Sequence, residues 1–456
     1  GYYDESNPQC VDWQIKWAVE NGLSFFLVDW YWHKGYQHHD HWIKAFRQAR
    51  YKSYLKWAIM WANHNPDGSH SESDQREVAK FWIENYFNTP EYYQIDGKPV
   101  VMIWSPQNMN RDLGPGGCER LLALSRQMAV EAGYKGIWFI AMKWPEGSWE
   151  PEIVRDLKGM GFDMTSIYHY MESGGRAENP RRFPFDLVAD SNAAHWRGLY
   201  ETGILPFLPN LSTGWDDRPW HGDKGREIYG RTVSHFRRIC RDAKAFADET
   251  GVKRLTLAPL NEWGEGSYAE PCAEFGFGMY EAVRETFCQK PEAGWSPNYG
   301  PRDVGLGPYD LPPPAEDSTT DWTFRDGAQG WVAMMGIEDF KADGRLTFTS
   351  RTHDPALERA LTTIRAKSFG QVVVRMRVPA ATAGNCQLFW SSGGTPTEAT
   401  SQTLPLAEDG QPHDYVFNVG KSKTWRGRVG RLRFDPCSSA GVRVEIERIR
   451  LIPVEE

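Results

Sequence analysis

A chain of 456 residues with 40% hydrophobic content can bury one large core and a smaller one, and its net charge of −8 is the wrong sign for gripping nucleic acid or an anionic membrane surface. The seven cysteines include no C-x-x-C pair, which argues against a zinc site or a disulfide framework, and no run of about 18 apolar residues marks a membrane span. The excess is aromatic: 21 tryptophans, with Phe, Trp and Tyr together at 14%, suit a cleft whose indole faces stack on the C–H faces of sugar rings.

The first predicted element is a helix over 8–21. Short apolar runs then follow at 23–32, 54–62, 98–104, 136–143, 162–170, 204–211 and 254–262, separated by amphipathic stretches such as 115–132 and 224–249. Near-continuous apolar strands alternating with helices imply a parallel sheet covered on both faces. The regular repetition predicts an α/β fold of the (β/α)₈ TIM-barrel type over residues 1–290, with a Rossmann-like open sheet as the alternative. Seven strands are counted where a barrel has eight, and the chain opens at Gly1 without Met, so the first strand is expected upstream. Residues 291–317, rich in Pro and Gly, read as a linker or strap. From 318 to 456, short alternating runs predict an antiparallel β-sandwich of jelly-roll type, a carbohydrate-binding-like accessory domain in which Cys386 and Cys437 could pair.

Barrel chemistry sits at the C-terminal ends of the strands. Those ends carry Asp29, Trp30 and Trp32; Trp61 and Asn63; Trp104; Lys143 and Trp144; Tyr168, His169 and Tyr170; Asn210, Trp215 and Asp216; and Asn261 and Trp263, all candidate substrate contacts. The sharpest element is LAPLNEWGEG (257–266), with Glu262 and Glu265 three residues apart. In a continuing strand they would face opposite sides, but Gly264 and Gly266 permit a helical turn that brings i and i+3 within roughly 5–6 Å at Cβ. Carboxylates about 5–5.5 Å apart suit a retaining glycosidase. Crowding also splits their pKa values, so that one serves as acid and the other as base.

The NEWGEG element (261–266), with YYDESNP (2–8), FFLVDWYW (25–32) and LPNLSTGWDDRP (208–219), resembles the WbsX-like proteins and with them glycoside hydrolase family 99, the endo-α-mannosidase type, over roughly residues 1–310. The resemblance implies a barrel that hydrolyses an α-glycosidic bond with retention and without a metal. It implies that Glu262 deprotonates the sugar 2-OH, closing a 1,2-anhydro sugar, and that Glu265 is the general acid/base. One departure is Gly264, where the mannosidase element has His. The C-terminal motifs GWVAM (330–334), DGRLTFTS (343–350) and LRFDP (432–436) resemble galactose-binding-like jelly rolls.

Three other functions remain open. A glycosyltransferase of polysaccharide synthesis would commonly carry a D-x-D metal motif, and none is present, nor is a G-x-G-x-x-G or Walker loop. A polysaccharide lyase would use Tyr168 or Tyr170 as base on a uronic acid. A non-catalytic carbohydrate-binding protein would not need the paired glutamates. No cofactor or metal is expected: HHDHW (38–42) is contiguous at a helix start, so its side chains diverge. The expected partner is a polysaccharide or glycan, and that substrate class predicts a secreted or periplasmic protein.

Overall fold

Asn7 and Pro8 set the first element of the computed structural model. Asn7 Oδ1 accepts the Gln9 N–H at 2.9 Å, and Pro8, with no N–H to leave unpaired, opens helix α1 (Pro8–Glu20). The structure describes residues 3–33, 36–143, 150–168, 177–306, 319–391 and 396–454. They fall into two units, Gly1–Trp32 with His39–Pro308, and His33–His38 with Tyr309–Glu456.

In the first unit, strands β1 (Phe25–His33), β2 (Lys56–Trp61), β3 (Lys98–Ile103), β4 (Trp138–Lys143), β5 (Met164–Ile167), β6 (Phe207–Leu208, resumed after Pro209 at Asn210–Ser212) and β7 (Thr256–Ala258) run parallel in chain order. Pro209 lacks the N–H a ladder needs, which is why β6 is interrupted. Helices lie between consecutive strands: α2 (His41–Gln48), α3 (Glu72–Trp82), α4 (Pro106–Leu113) with α5 (Gly117–Glu131), α6 (Pro151–Gly159), α7 (Phe185–Glu201), and α8 (Arg218–His221) with α9 (Val233–Thr250). Helix α10 (Gly278–Phe287) follows β7. This is a (β/α)-barrel wall. Seven of its parallel strands are among the described residues, and no described strand separates β7 from β1. A cavity of about 450 Å³ runs along that seam, where Phe25–Asp29 and Thr256–Ala258 are only half-buried.

Strand parity sorts the aromatic residues. Asp29 and Tyr31 of β1 line the cavity, so Trp30 and Trp32 point the other way, toward the helices. Trp30, Trp61 and Trp82 form an edge-to-face cluster with centroids 5.5–5.8 Å apart. Trp30 Nε1 donates to the Tyr86 hydroxyl at 3.0 Å and Trp32 Nε1 to Asp74 at 3.1 Å. Met60 faces the cavity, which turns its neighbour Trp61 outward. Trp30, Trp32 and Trp61, expected at the substrate, are therefore core residues, each at most 4% exposed. Asn63 is corrected too. It is fully buried just past β2, accepts the Ser105 N–H at 2.7 Å, donates to the Ser105 carbonyl at 2.8 Å, and so fastens the β2 end to the start of α4.

Residues 291–306 of the Pro/Gly-rich stretch after α10 pack against α1 and α10. Trp17 Nε1 donates to the Tyr299 carbonyl at 2.9 Å, and Arg284, stacked 5.1 Å from the Trp295 ring centroid, donates to the Ser296 carbonyl. The second unit is an antiparallel sandwich. One sheet joins Ile337–Ala342, Leu346–Ser350, Arg443–Pro453, Phe369–Arg377 and His413–Phe417; the other joins Trp331–Met335, Ala356–Arg365, Arg428–Asp435, Asn385–Ser391 and Ser401–Pro405. Trp322, Trp331, Trp390 and Trp425 fill the space between, and Cys386 and Cys437 are buried free thiols.

The Asn63 clip yields a prediction. Asn63→Ala leaves the half-buried Ser105 N–H without its partner and removes one of the two bonds to the Ser105 carbonyl, which keeps the Asn108 N–H at 3.2 Å; at a cost of about 1 kcal/mol it lowers the urea midpoint of the barrel unit while substrate affinity stays unchanged.

Candidate active site

The residues after β7 turn back on themselves. Asn261–Glu262 pairs antiparallel with Ser267–Tyr268, and a 3₁₀ turn, Trp263–Glu265, closes the hairpin. Glu262 precedes that turn and Glu265 ends it, close enough for the Glu262 charge to act on Glu265. Gly266 ends the turn at φ +60°, and a Cβ there would lie 2.7 Å from Asp216 Cβ, so both conformation and space demand glycine.

Facing this turn across the cavity mouth is Asp29. Burial, reinforced by the charges of Glu262 and Glu265, pushes its carboxyl up to about 7. Glu265 is likewise pushed up to about 7, by burial first and then by Glu262 and Asp217. Glu262 is raised by burial and by the charge of Glu5. The phenols of Tyr31 and Tyr168 are raised by burial and by the same three carboxylates, so all five groups share one electrostatic field. Met60, Met102 and Met142 floor the cavity, and its described lining contains no Lys or Arg.

The segment before α1 supplies residues that strand-end reasoning missed. Asn261 Nδ2 donates to Glu5 Oε1 at 2.6 Å, and His41 Nε2 lies 3.4 Å from the other Glu5 oxygen. Tyr3 accepts from Trp263 Nε1 at 3.0 Å and from Asn261 at 3.3 Å, while its own hydroxyl donates to Glu270. Glu270 is 2% exposed, accepts from Gln14 at 3.0 Å, and is pushed up to about 7 by burial. A segment leading into a barrel helix lies at the C-terminal mouth. That rule, applied to YYDESNP, would have found Glu5.

The remaining candidates separate. Asn210 is buried in the cavity wall and donates to the Tyr168 carbonyl; Trp104 meets Tyr168 edge-on at 5.0 Å. Trp215 is half-buried. Asp216 is held by Arg218 through two bonds of 2.8 and 2.7 Å that keep its carboxyl below the usual range, so it anchors α8 rather than waiting for substrate. Trp263 is 40% exposed, with its ring stacked on Tyr268 at 4.4 Å. The Lys143 side chain, Trp144, His169 and Tyr170 lie outside the described residues. Among the described residues, no three His, Cys, Asp or Glu are grouped to hold a metal, and no helix is long and apolar enough to cross a membrane.

Residues 1–283 match the family described as Glycosyltransferase WbsX. The chain belongs to the WbsX family. Two curated relatives, both called uncharacterized protein WxcX and drawn from two strains of Xanthomonas campestris pv. campestris, are 23% identical over 324 residues, which is 64% of this chain and 43% of theirs. The chain thus spans less than half the length of those relatives. Among solved structures, a glycoside hydrolase-like protein aligns at 20% identity over 63% of this chain and 88% of its own, with a TM-score of 0.48. The family 99 endo-α-mannosidase of Bacteroides thetaiotaomicron aligns at 16% identity over 62% and 80%, with a TM-score of 0.41.

The raised carboxyls have a consequence for stability. A carboxyl lifted from about 3.9 in the unfolded chain favours folding while it keeps its proton, and that contribution is lost as pH climbs through its folded value near 7. Asp29→Asn is therefore expected to stabilise the protein at pH 8 by on the order of 2 kcal/mol, with the gain vanishing toward pH 4. Urea unfolding of both proteins across that range checks the sign.

Proposed function

We propose that this WbsX-family protein is a retaining glycoside hydrolase acting on α-linkages of a polysaccharide or complex glycan. The observation that carries the proposal is the pair Glu262 and Glu265 on one tight turn at the barrel mouth, both raised, with Glu265 near 7. A group titrating there still holds a proton at neutral pH and can give it to a departing glycosidic oxygen.

In the reaction proposed, Glu262 takes the proton of the sugar 2-OH as O2 attacks C1 and the C1–oxygen bond breaks. Glu265 protonates the leaving oxygen. The resulting 1,2-anhydro sugar is opened at C1 by a water that Glu265, now a carboxylate, deprotonates, while O2 recovers its proton from Glu262. Two inversions at C1 give net retention. Asp29, which lines the cavity beside both glutamates and is raised by their charges, shares their field where the sugar would sit. Tyr168, Asn210, Asn261 and Trp263 would orient the sugar, and no cofactor enters. The described helices and the acidic mouth suit a glycan partner, and action on external polysaccharide would call for a secreted or periplasmic enzyme.

The description of the family as glycosyltransferases favours a second reading, transfer of a sugar from a nucleotide donor. One assay separates the two. Glu262→Gln and Glu265→Gln should each cut reducing-end release from the polysaccharide substrate by about 10²–10⁴-fold while the fold is kept. Wild-type kcat/KM should fall above about pH 7, as Glu265 loses its proton. Undiminished release by both variants would remove the pair from the chemistry. Turnover only with a nucleotide sugar would establish transfer, and an unsaturated uronate product would establish a lyase.

A further inference from the structure

Of the tryptophans among the described residues, only Trp220 and Trp263 are exposed, at 68% and 40%, and both bear on the turn that carries Glu262 and Glu265. Trp263 belongs to the turn. Trp220 reaches it from α8. A Cβ built on Gly264 would lie 2.9 Å from Trp220 Cζ2 and 3.3 Å from Nε1, so the indole rests on the backbone of residue 264 in the space a side chain would take. An indole left two-thirds in water forgoes stabilisation of about 25 cal/mol for each Å² of apolar surface it could bury, so core packing does not explain its place.

Nor is the ring loosely tethered. Arg218 bonds Asp216 twice and reaches Glu227 at 2.9 Å, and the Trp220 N–H donates to the Asp217 carbonyl at 3.0 Å. The Asp216 N–H donates to the Glu265 carbonyl at 2.6 Å. Helix α8 and the glutamate turn are thus bolted together, and a flat apolar face is fixed next to an acid. Such a face suits an occupant that is apolar on one side and carries oxygens at its rim, as a pyranose ring does.

We infer that Trp220, seated on Gly264, is the stacking platform of a leaving-group subsite, so that productive substrates carry a sugar ring on the departing side of the cleaved bond as well. This rests on Glu265 being the acid that touches the departing oxygen, since the ring beyond that oxygen then lies on the α8 side of the turn. The substrate class becomes an oligosaccharide or polysaccharide cut between two rings.

The test uses the full chain in native gels cast with yeast α-mannan, dextran, pullulan or polygalacturonate, together with turnover on the same polymers and on α-glycosyl fluorides, which carry no ring on the leaving side. Wild type is expected to be retarded in at least one gel. Trp220→Ala should weaken that retardation, and raise KM for the polymer, by about tenfold, with Trp220→Phe restoring most of it. Gly264→Ala should do the same without unfolding the protein: residue 264 has an ordinary negative φ, and only the exposed Trp220 must move aside. Turnover of α-glycosyl fluorides, whose leaving group has no ring to stack, should be unchanged by Trp220→Ala. Retardation of Trp220→Ala equal to wild type, no retardation of wild type in any gel, or equal loss on polymer and glycosyl fluoride overturns the platform. Failure of the hydrolase reading looks different. Glu265→Gln would then release reducing ends as fast as wild type, or wild type would release none, while retardation still depended on Trp220.

Discussion

Three carboxyl groups crowd one barrel mouth, where burial and mutual repulsion favour their protonated forms, and much of the surrounding structure holds them there against that repulsion. Asp29 and Glu265 are each raised to about 7, and Glu262 is raised as well. Left to itself, a hairpin tip carrying two of these groups would swing out to water. Arg231 prevents that. Its guanidinium donates to the Thr213 and Gly266 carbonyls at 2.9 and 2.8 Å and stacks between Tyr268 and Phe275. Gly214 leaves it room, since a Cβ there would come within 2.7 Å of the guanidinium. On the other side Tyr3 and Glu5 hold Asn261 and Trp263, and Glu270, itself held by Gln14, accepts from Tyr3. The repulsion is thus met by bonds to the backbone and to Asn261 and Trp263, none of them to the carboxyls of Asp29, Glu262 or Glu265 themselves.

That choice of partner matters for acid–base work. An Arg paired directly with Glu265 would pull its pKa down, as Arg218 does for Asp216 one loop away. The two acids sit on neighbouring segments, joined by a backbone bond from Asp216 to Glu265, yet their environments drive them in opposite directions. One is spent on fixing α8. The other keeps its proton.

The alternation of strands and helices, and the switch to short antiparallel strands near residue 319, were legible because apolar periodicity is a local property of the chain. So was the glutamate turn, because Gly264 and Gly266 left few other paths for the backbone. The errors came from treating a strand end as a cluster rather than as two faces. In DWYW the period of two places Asp29 and Tyr31 on one side and Trp30 and Trp32 on the other, and Trp61 follows the same rule beside Met60. Parity would have assigned these tryptophans to the helix layer from sequence alone. Glu5 was within reach of the rule that places the segment before a barrel helix at the mouth, but Tyr3, Glu270 and Trp220 were not: their roles depend on contacts between segments up to 267 residues apart, for which the sequence carries no local signal.

The charge of the mouth also weighs between hydrolysis and transfer from a nucleotide donor. A diphosphate needs cations or a bound metal to offset its charge. Here the described lining offers Glu5, Asp29 and Glu262, with His39 and His41 as its only basic side chains. Burial depresses the His39 pKa, and His41 is turned toward Glu5. Each ionised carboxylate about 4 Å from a phosphate charge would oppose it by roughly 1 kcal/mol in water, and by about 4 kcal/mol at the effective dielectric of a protein surface. A neutral sugar ring meets no such penalty, and its hydroxyls can donate to the same oxygens that would repel a phosphate. The described carboxyl cluster therefore suits a neutral ring better than a diphosphate, which is the direction the proposed hydrolysis needs.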